Sequence, residues 1–167
     1  MIIDLLPVFG GDGKEIKVET SIDFSSKDEY GIKFLAPALV TGKILNIGGQ
    51  LEFSGEAKAK LSFMCDRCNE WFEEALNFSF AEVLKKEIDK ALEGDENPDV
   101  IFYEGNRLDI SEIIYNNIIL NLPTKKLCKE DCKGLCTVCG TNLNEKDCGC
   151  KEDNTDPRFD VLDKFFN

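Results

Sequence analysis

Eight cysteines and no histidine in 167 residues set the first limit on what this chain can become. Two of them form Cys65-x2-Cys68, and six fall within Cys128-x3-Cys132-x3-Cys136-x2-Cys139-x8-Cys148-x-Cys150. Close pairs of this kind suit tetrahedral zinc, and eight thiols make two closed four-cysteine sites. Without imidazole the chain has no histidine ligand, no histidine general base and no switch near neutral pH, so a metal site here is thiolate-rich. Disulfides are the competing use, but they belong to oxidising compartments. Met1 to Pro7 has no positively charged side chain and too short an apolar run for a signal peptide, and no stretch approaches the roughly 20 apolar residues of a membrane span. The expected setting is the cytoplasm, with reduced thiols and no membrane contact.

Chain economy suggests how the cysteines divide. Cys136, Cys139, Cys148 and Cys150 are close enough in sequence to close a local ribbon, which leaves Cys65, Cys68, Cys128 and Cys132 for a second, long-range site. The pairing of Cys65 and Cys68 with Cys136 and Cys139 stays open at this level. Cys136-Thr137-Val138-Cys139-Gly140 resembles a zinc knuckle, in which backbone amides point at sulfur and the glycine permits the bend. Cys65 to Cys68 has the same spacing without the glycine. Two other uses of these cysteines compete with zinc. Cys132-x3-Cys136-x2-Cys139 matches the spacing by which radical S-adenosylmethionine enzymes hold an iron–sulfur cluster, but those enzymes use alternating strands and helices, whereas this chain reads as antiparallel β. A redox Cys-x2-Cys needs a βαβ frame, and neither pair has one.

The clearest strand signal is Leu51 to Cys65, where apolar and polar residues alternate. Asn46-Ile47-Gly48-Gly49 predicts a hairpin joining it to Ala38–Leu45, and a further alternation through Phe72, Leu76, Phe78 and Phe80 places Cys65 and Cys68 near a turn between strands. Ile2–Leu6 and Ile16–Phe24 read as shorter strands. Gly10-Gly11-Asp12-Gly13 lacks the lysine and helix of a phosphate-binding loop, so a plain turn is expected. Val83–Leu92 has helical spacing, and the acidic, breaker-rich stretch 93–98 reads as a mobile loop. Asp109-Ile110-Ser111-Glu112 has the form of a helix cap. That explains both carboxylates without a catalytic pair, and Ile110, Ile113, Ile114 and Ile118 give the following helix a buried face. Asp156-Pro157 starts a last helix striped with Phe159, Leu162 and Phe166.

Together these patterns predict an α+β fold: an antiparallel β-sheet or partly closed barrel with a few helices and a C-terminal cysteine-rich zinc ribbon. One compact domain is expected, with a β-rich core over 1–123 that includes a buried helix near 110–122, a zinc-binding segment over 124–153 and a terminal helix over 154–167.

The formal net charge of −12 is the reverse of a phosphate-binding footprint. Two four-thiolate zinc sites would carry it to about −16. Lys85-Lys86 and Lys125-Lys126 are the only small basic clusters of note, so direct binding to naked RNA is disfavoured and a basic partner fits better. No carboxylate cluster or base motif supports an enzyme or a small-molecule substrate.

Several segments resemble the YceD family. They are Met1-Ile2-Ile3-Asp4-Leu5, Met64-Cys65-Asp66-Arg67-Cys68 with Trp71-Phe72, and Asp109-Ile110 with the helix to Leu120-Asn121-Leu122-Pro123. Gly134-Leu135-Cys136-Thr137-Val138-Cys139-Gly140-Thr141-Asn142-Leu143-Asn144 and Asp156-Pro157-Arg158-Phe159 complete the set. The resemblance implies a bacterial cytoplasmic protein, with plastid relatives, needed for accumulation of 23S ribosomal RNA through its synthesis, processing or stability. It brings no enzymatic activity with it. Joined to the charge, it suggests action through a basic ribosomal or rRNA-processing protein, with indirect rRNA association. A zinc module that touches rRNA directly is the alternative.

Overall fold

The computed structural model describes residues 1–27, 31–86 and 100–150. Their contacts divide them between two units: a β-unit of Met1–Phe63 with Phe72–Thr124, and a cysteine unit that joins Met64–Trp71 to the chain from Lys125 onward.

In the β-unit, alternation becomes sheet. Strands β2 (Glu15–Ile22), β4 (Ala38–Ile47), β5 (Gln50–Met64), β6 (Trp71–Lys86) and β7 (Val100–Tyr103) lie side by side in that order, and β3 (Ile32–Phe34) pairs with β5. β5 is long enough to pair with β4 from Gln50 to Lys58 and with β3 from Leu61 to Phe63. The β4–β5 turn forms as expected: Gly48 and Gly49 have φ of 60° and 93°, values at which a side chain is strained, and Ile47 faces Gln50 across the ladder. Farther along the same hairpin Gly42 faces Gly55. A Cβ on either would lie 2.4 Å from a carbonyl oxygen of the opposite strand, so only glycine permits this approach.

The sheet is open, with no barrel closure among the described residues, and it is not wholly antiparallel. β2, β3 and β4 pair antiparallel with their neighbours, but β6 and β7 run parallel from Val83↔Val100 to Lys86↔Tyr103. That ladder corrects the helix expected at Val83–Leu92. Val83 to Lys86 continue β6 with Leu84 almost fully buried, because the later segment Val100–Tyr103 supplies a strand partner that local spacing does not reveal. Residues 87–92 of that expected helix, the 93–98 loop and the 154–167 helix lie outside the described residues.

The N-terminal strand is shorter than its apolar run. β1 (Ile2–Asp4) pairs with β8 (Arg107–Asp109) as a separate two-stranded sheet, and Leu6–Val8 turns into a 3-10 helix at Pro7. The Gly10–Gly13 segment is a turn tied back by Gly13 N–H to the Asn46 carbonyl and by Gly48 N–H to the Asp12 carboxylate.

One α-helix stands among the described residues, α1 (Ile110–Leu120), where a few helices were expected. Asp109 caps it by accepting from the Ser111 amide at 2.9 Å, an interaction worth about 1 kcal/mol. Ile110, Ile113, Ile114 and Ile118 are buried as their spacing predicts, and Tyr115 packs 5.6 Å from Phe24. The core beside it includes the fully buried Phe53 and Phe63, each contributing about 1.5–3 kcal/mol of burial. No described helix is long and apolar enough to cross a membrane.

Candidate metal centres

The cysteine unit brings its thiols together in two groups. Cys65, Cys68, Cys128 and Cys132 form one, and Cys136, Cys139, Cys148 and Cys150 the other, with the sulfurs of each group within 4.8 Å of one another. All eight are free thiols. The donor set fits zinc: tetrahedral Zn–S bonds of about 2.3 Å place sulfurs about 3.8 Å apart. In the first group Cys65 Sγ lies 3.8 Å from Cys132 Sγ, and Cys68 Sγ lies 3.6 Å from Cys128 Sγ. The iron–sulfur triple does not converge, because Cys132 belongs to one group while Cys136 and Cys139 belong to the other. The alternative pairing of Cys65 and Cys68 with Cys136 and Cys139 is likewise not formed.

Two turns of the same design present these sulfurs. In the first, Cys65 N–H donates to the Glu70 carbonyl and Asn69 N–H donates back to the Cys65 carbonyl. In the second, Cys136 N–H donates to the Thr141 carbonyl and Gly140 N–H donates back to the Cys136 carbonyl. The returning donor sits at positive φ each time, 59° at Asn69 and 72° at Gly140. Asn tolerates that region better than any bulkier residue, so it does the work of the glycine expected from the knuckle pattern.

Around the first group the chain is densely tied. Asp66 N–H donates to the Lys126 carbonyl, the Asp66 carboxylate accepts from Lys126 N–H, and the Arg67 guanidinium donates to the Cys132 carbonyl at 2.8 Å. Leu135 N–H reaches the Arg67 carbonyl. Gly134, at φ 76°, lies against that carbonyl, and a Cβ there would stand 3.0 Å from its oxygen. Cys128 N–H and the Asn144 side-chain amide donate to Cys65 Sγ and Cys132 Sγ at 3.4 and 3.3 Å. Such donors stabilise thiolate and fix ligand orientation.

In the metal-free state each group mixes thiols that ionise easily with thiols that resist it. Burial pushes Cys65 up, but the amides of Cys128, Cys68 and Arg67 outweigh it and bring the thiol down to about 6. Burial and the thiols of Cys68, Cys132 and Cys65 push Cys128 up to about 12. In the second group the Thr141 hydroxyl and amide bring Cys139 down to about 6, while hydrogen bonding with Cys139 and Cys148 pushes Cys150 up to about 12. A divalent cation removes this opposition, since it favours four thiolates at once.

Sequence reasoning found the cysteines but gave no role to Asn69, and it named Arg67, Thr141 and Asn144 only within the segments that carry the resemblance. A usable signal existed for Asn69, which follows Cys68 as Gly140 follows Cys139.

Residues 53–166 match the family model described as large ribosomal RNA subunit accumulation protein YceD. Two similar proteins carry the name large ribosomal RNA subunit accumulation protein YCED homolog 1, chloroplastic. The one from Zea mays is 28% identical over 76% of this chain and 53% of its own length. The one from Arabidopsis thaliana is 25% identical over 75% of this chain and 47% of its own length. The chain thus spans about half the length of these curated relatives. No solved structure matches it.

Proposed function

The chain belongs to the YceD family of large ribosomal RNA subunit accumulation proteins, and we propose that it is a non-enzymatic zinc protein supporting 23S rRNA synthesis, processing or stability in the bacterial cytoplasm. It would do so by binding a basic ribosomal or rRNA-processing protein. Each four-sulfur group would hold one zinc ion, whose chemistry is structural: it neutralises thiolates and fixes the turns that carry them.

The observation that carries the basic-partner reading is where the charge lies. The β-unit holds 21 Asp and Glu against 11 Lys and Arg, so it accounts for −10 of the net −12. A field of that sign attracts a cationic protein and repels phosphate. The described residues of the cysteine unit are balanced in charged side chains, and thiolate–zinc groups would turn that balance negative.

Affinity capture from lysate, with and without nuclease, tests this reading. A basic ribosomal or processing protein retained after RNA is digested is the expected result. Capture that vanishes with the RNA and returns with purified rRNA alone would establish the direct-contact alternative instead.

A further inference from the structure

The second sulfur group sends a side chain to the first. Asn144 lies in the eight-residue loop between Cys139 and Cys148, yet its carboxamide contacts Cys132. The orientation of that carboxamide is set by its neighbours. Lys133 N–H can only donate, and it meets Asn144 Oδ1 at 2.9 Å, so the nitrogen must face the other way. There Nδ2 donates to Cys132 Sγ at 3.3 Å and to Asn142 Oδ1 at 2.9 Å. The segment is held further by Leu143 N–H to the Gly134 carbonyl and by the bridge between Leu135 and Asn142.

We propose that Asn144 is a positioning residue through which metal at Cys136, Cys139, Cys148 and Cys150 strengthens metal binding at Cys65, Cys68, Cys128 and Cys132. This rests on the reading that both groups hold zinc. Closing the second group pins both ends of the Cys139–Cys148 loop, so the loop no longer has to be ordered when Asn144 meets the Cys132 thiolate. The donor then offsets charge on that sulfur and holds it at the angle the ion requires. Coupling of this kind is reciprocal, so metal in the first group tightens the second by the same factor.

Cobalt(II) titration of four proteins separates the possibilities: the unaltered chain, Asn144→Asp, the pair Cys148→Ser with Cys150→Ser, and all three changes together. Asp keeps the shape and the acceptor for Lys133 but turns an oxygen toward the sulfur. First-group affinity, read by thiolate-to-cobalt absorption against a competing chelator, should fall about 10–100-fold in Asn144→Asp. The serine pair should cost the first group a similar factor, and the combination no more than either alone. The first-group absorption band should also shift in Asn144→Asp while the second-group band stays in place. Undiminished first-group affinity in the serine pair would overturn the coupling, as would additive losses in the combination. A second readout is alkylation of zinc-loaded Asn144→Asp followed by mass spectrometry, where Cys132 should lose protection and Cys136 keep it. Equal protection of both would also count against the proposal. Failure of the unaltered chain to bind cobalt or zinc at all would instead defeat the zinc reading itself.

Discussion

The two sulfur groups use the same kind of turn and the same number of thiols, yet they are assembled from very different stretches of chain. The first joins residues 60 positions apart at Cys68 and Cys128, and three of its cysteines are buried. The second is built wholly within 136–150 and leaves Cys139 exposed. Closing a loop of 60 residues rather than 9 costs about 1.7 kcal/mol more in chain entropy. The long-range group can bear that cost because Arg67, Asp66, Lys126 and Asn144 order its surroundings. Burial, in this unit, follows from the number of chain segments that converge on a site rather than from the chemistry of the ligands.

The comparison breaks most sharply if its long-range half is removed. Cys65→Ser with Cys132→Ser should release one zinc and unfold the cysteine unit, since structural zinc contributes about 10–16 kcal/mol in small domains. Cys148→Ser with Cys150→Ser should release one zinc while leaving amide dispersion around Cys65 to Cys68. Zinc content and NMR of residues 64–71 and 125–150 give both readings, and equal damage from the two pairs would erase the distinction.

A smaller effect separates Gly134 from Gly140, both of which sit at positive φ. Gly134→Ala meets the Arg67 carbonyl at 3.0 Å in addition to its unfavourable φ, and should cost about 1–3 kcal/mol in zinc-loaded melting experiments. Gly140→Ala meets nothing within 4 Å, so it should lose only the φ term, about 1–2 kcal/mol and less than Gly134→Ala.

Thiol reactivity sharpens the contrast in the metal-free chain. Exposed Cys139, brought down to about 6 by Thr141, should alkylate faster than buried Cys68, whose thiol burial pushes up. The sign follows from the thiolate: Cys139 is mostly ionised at pH 7, and its rate should fall as pH drops through 6. Thr141→Val should move that fall to higher pH. The smallest effect is expected at Val138, which is 64% exposed beside Cys139; Val138→Lys should shift melting by no more than about 0.5 kcal/mol.

Much of the fold was legible because one face of the central strands β4 and β5 is buried. Leu51, Phe53, Ala57, Ala59, Leu61 and Phe63 are buried at alternate positions, and the Gly48-Gly49 turn and the Asp109 cap have side chains or backbones that local chemistry alone explains. The division of the cysteines was also readable from chain economy, since spacing limits which sulfurs meet cheaply. What stayed hidden depends on partners far away in sequence. Val83–Lys86 is a strand because of Val100–Tyr103, and Asn144 matters because of Cys132 and Lys133. No local period encodes either.

The facing glycines of β4 and β5 carry a consequence for errors in assembly. An alternating strand slipped by two residues still turns its apolar side inward, so the pattern Leu51, Phe53, Ala57, Ala59 cannot by itself tell the native pairing from its neighbour. Opposition of Gly42 and Gly55 can, because any other alignment sets a side chain where two backbones now nearly touch. The short turn at Gly48-Gly49 favours the same alignment, so two separate features of the hairpin specify one register.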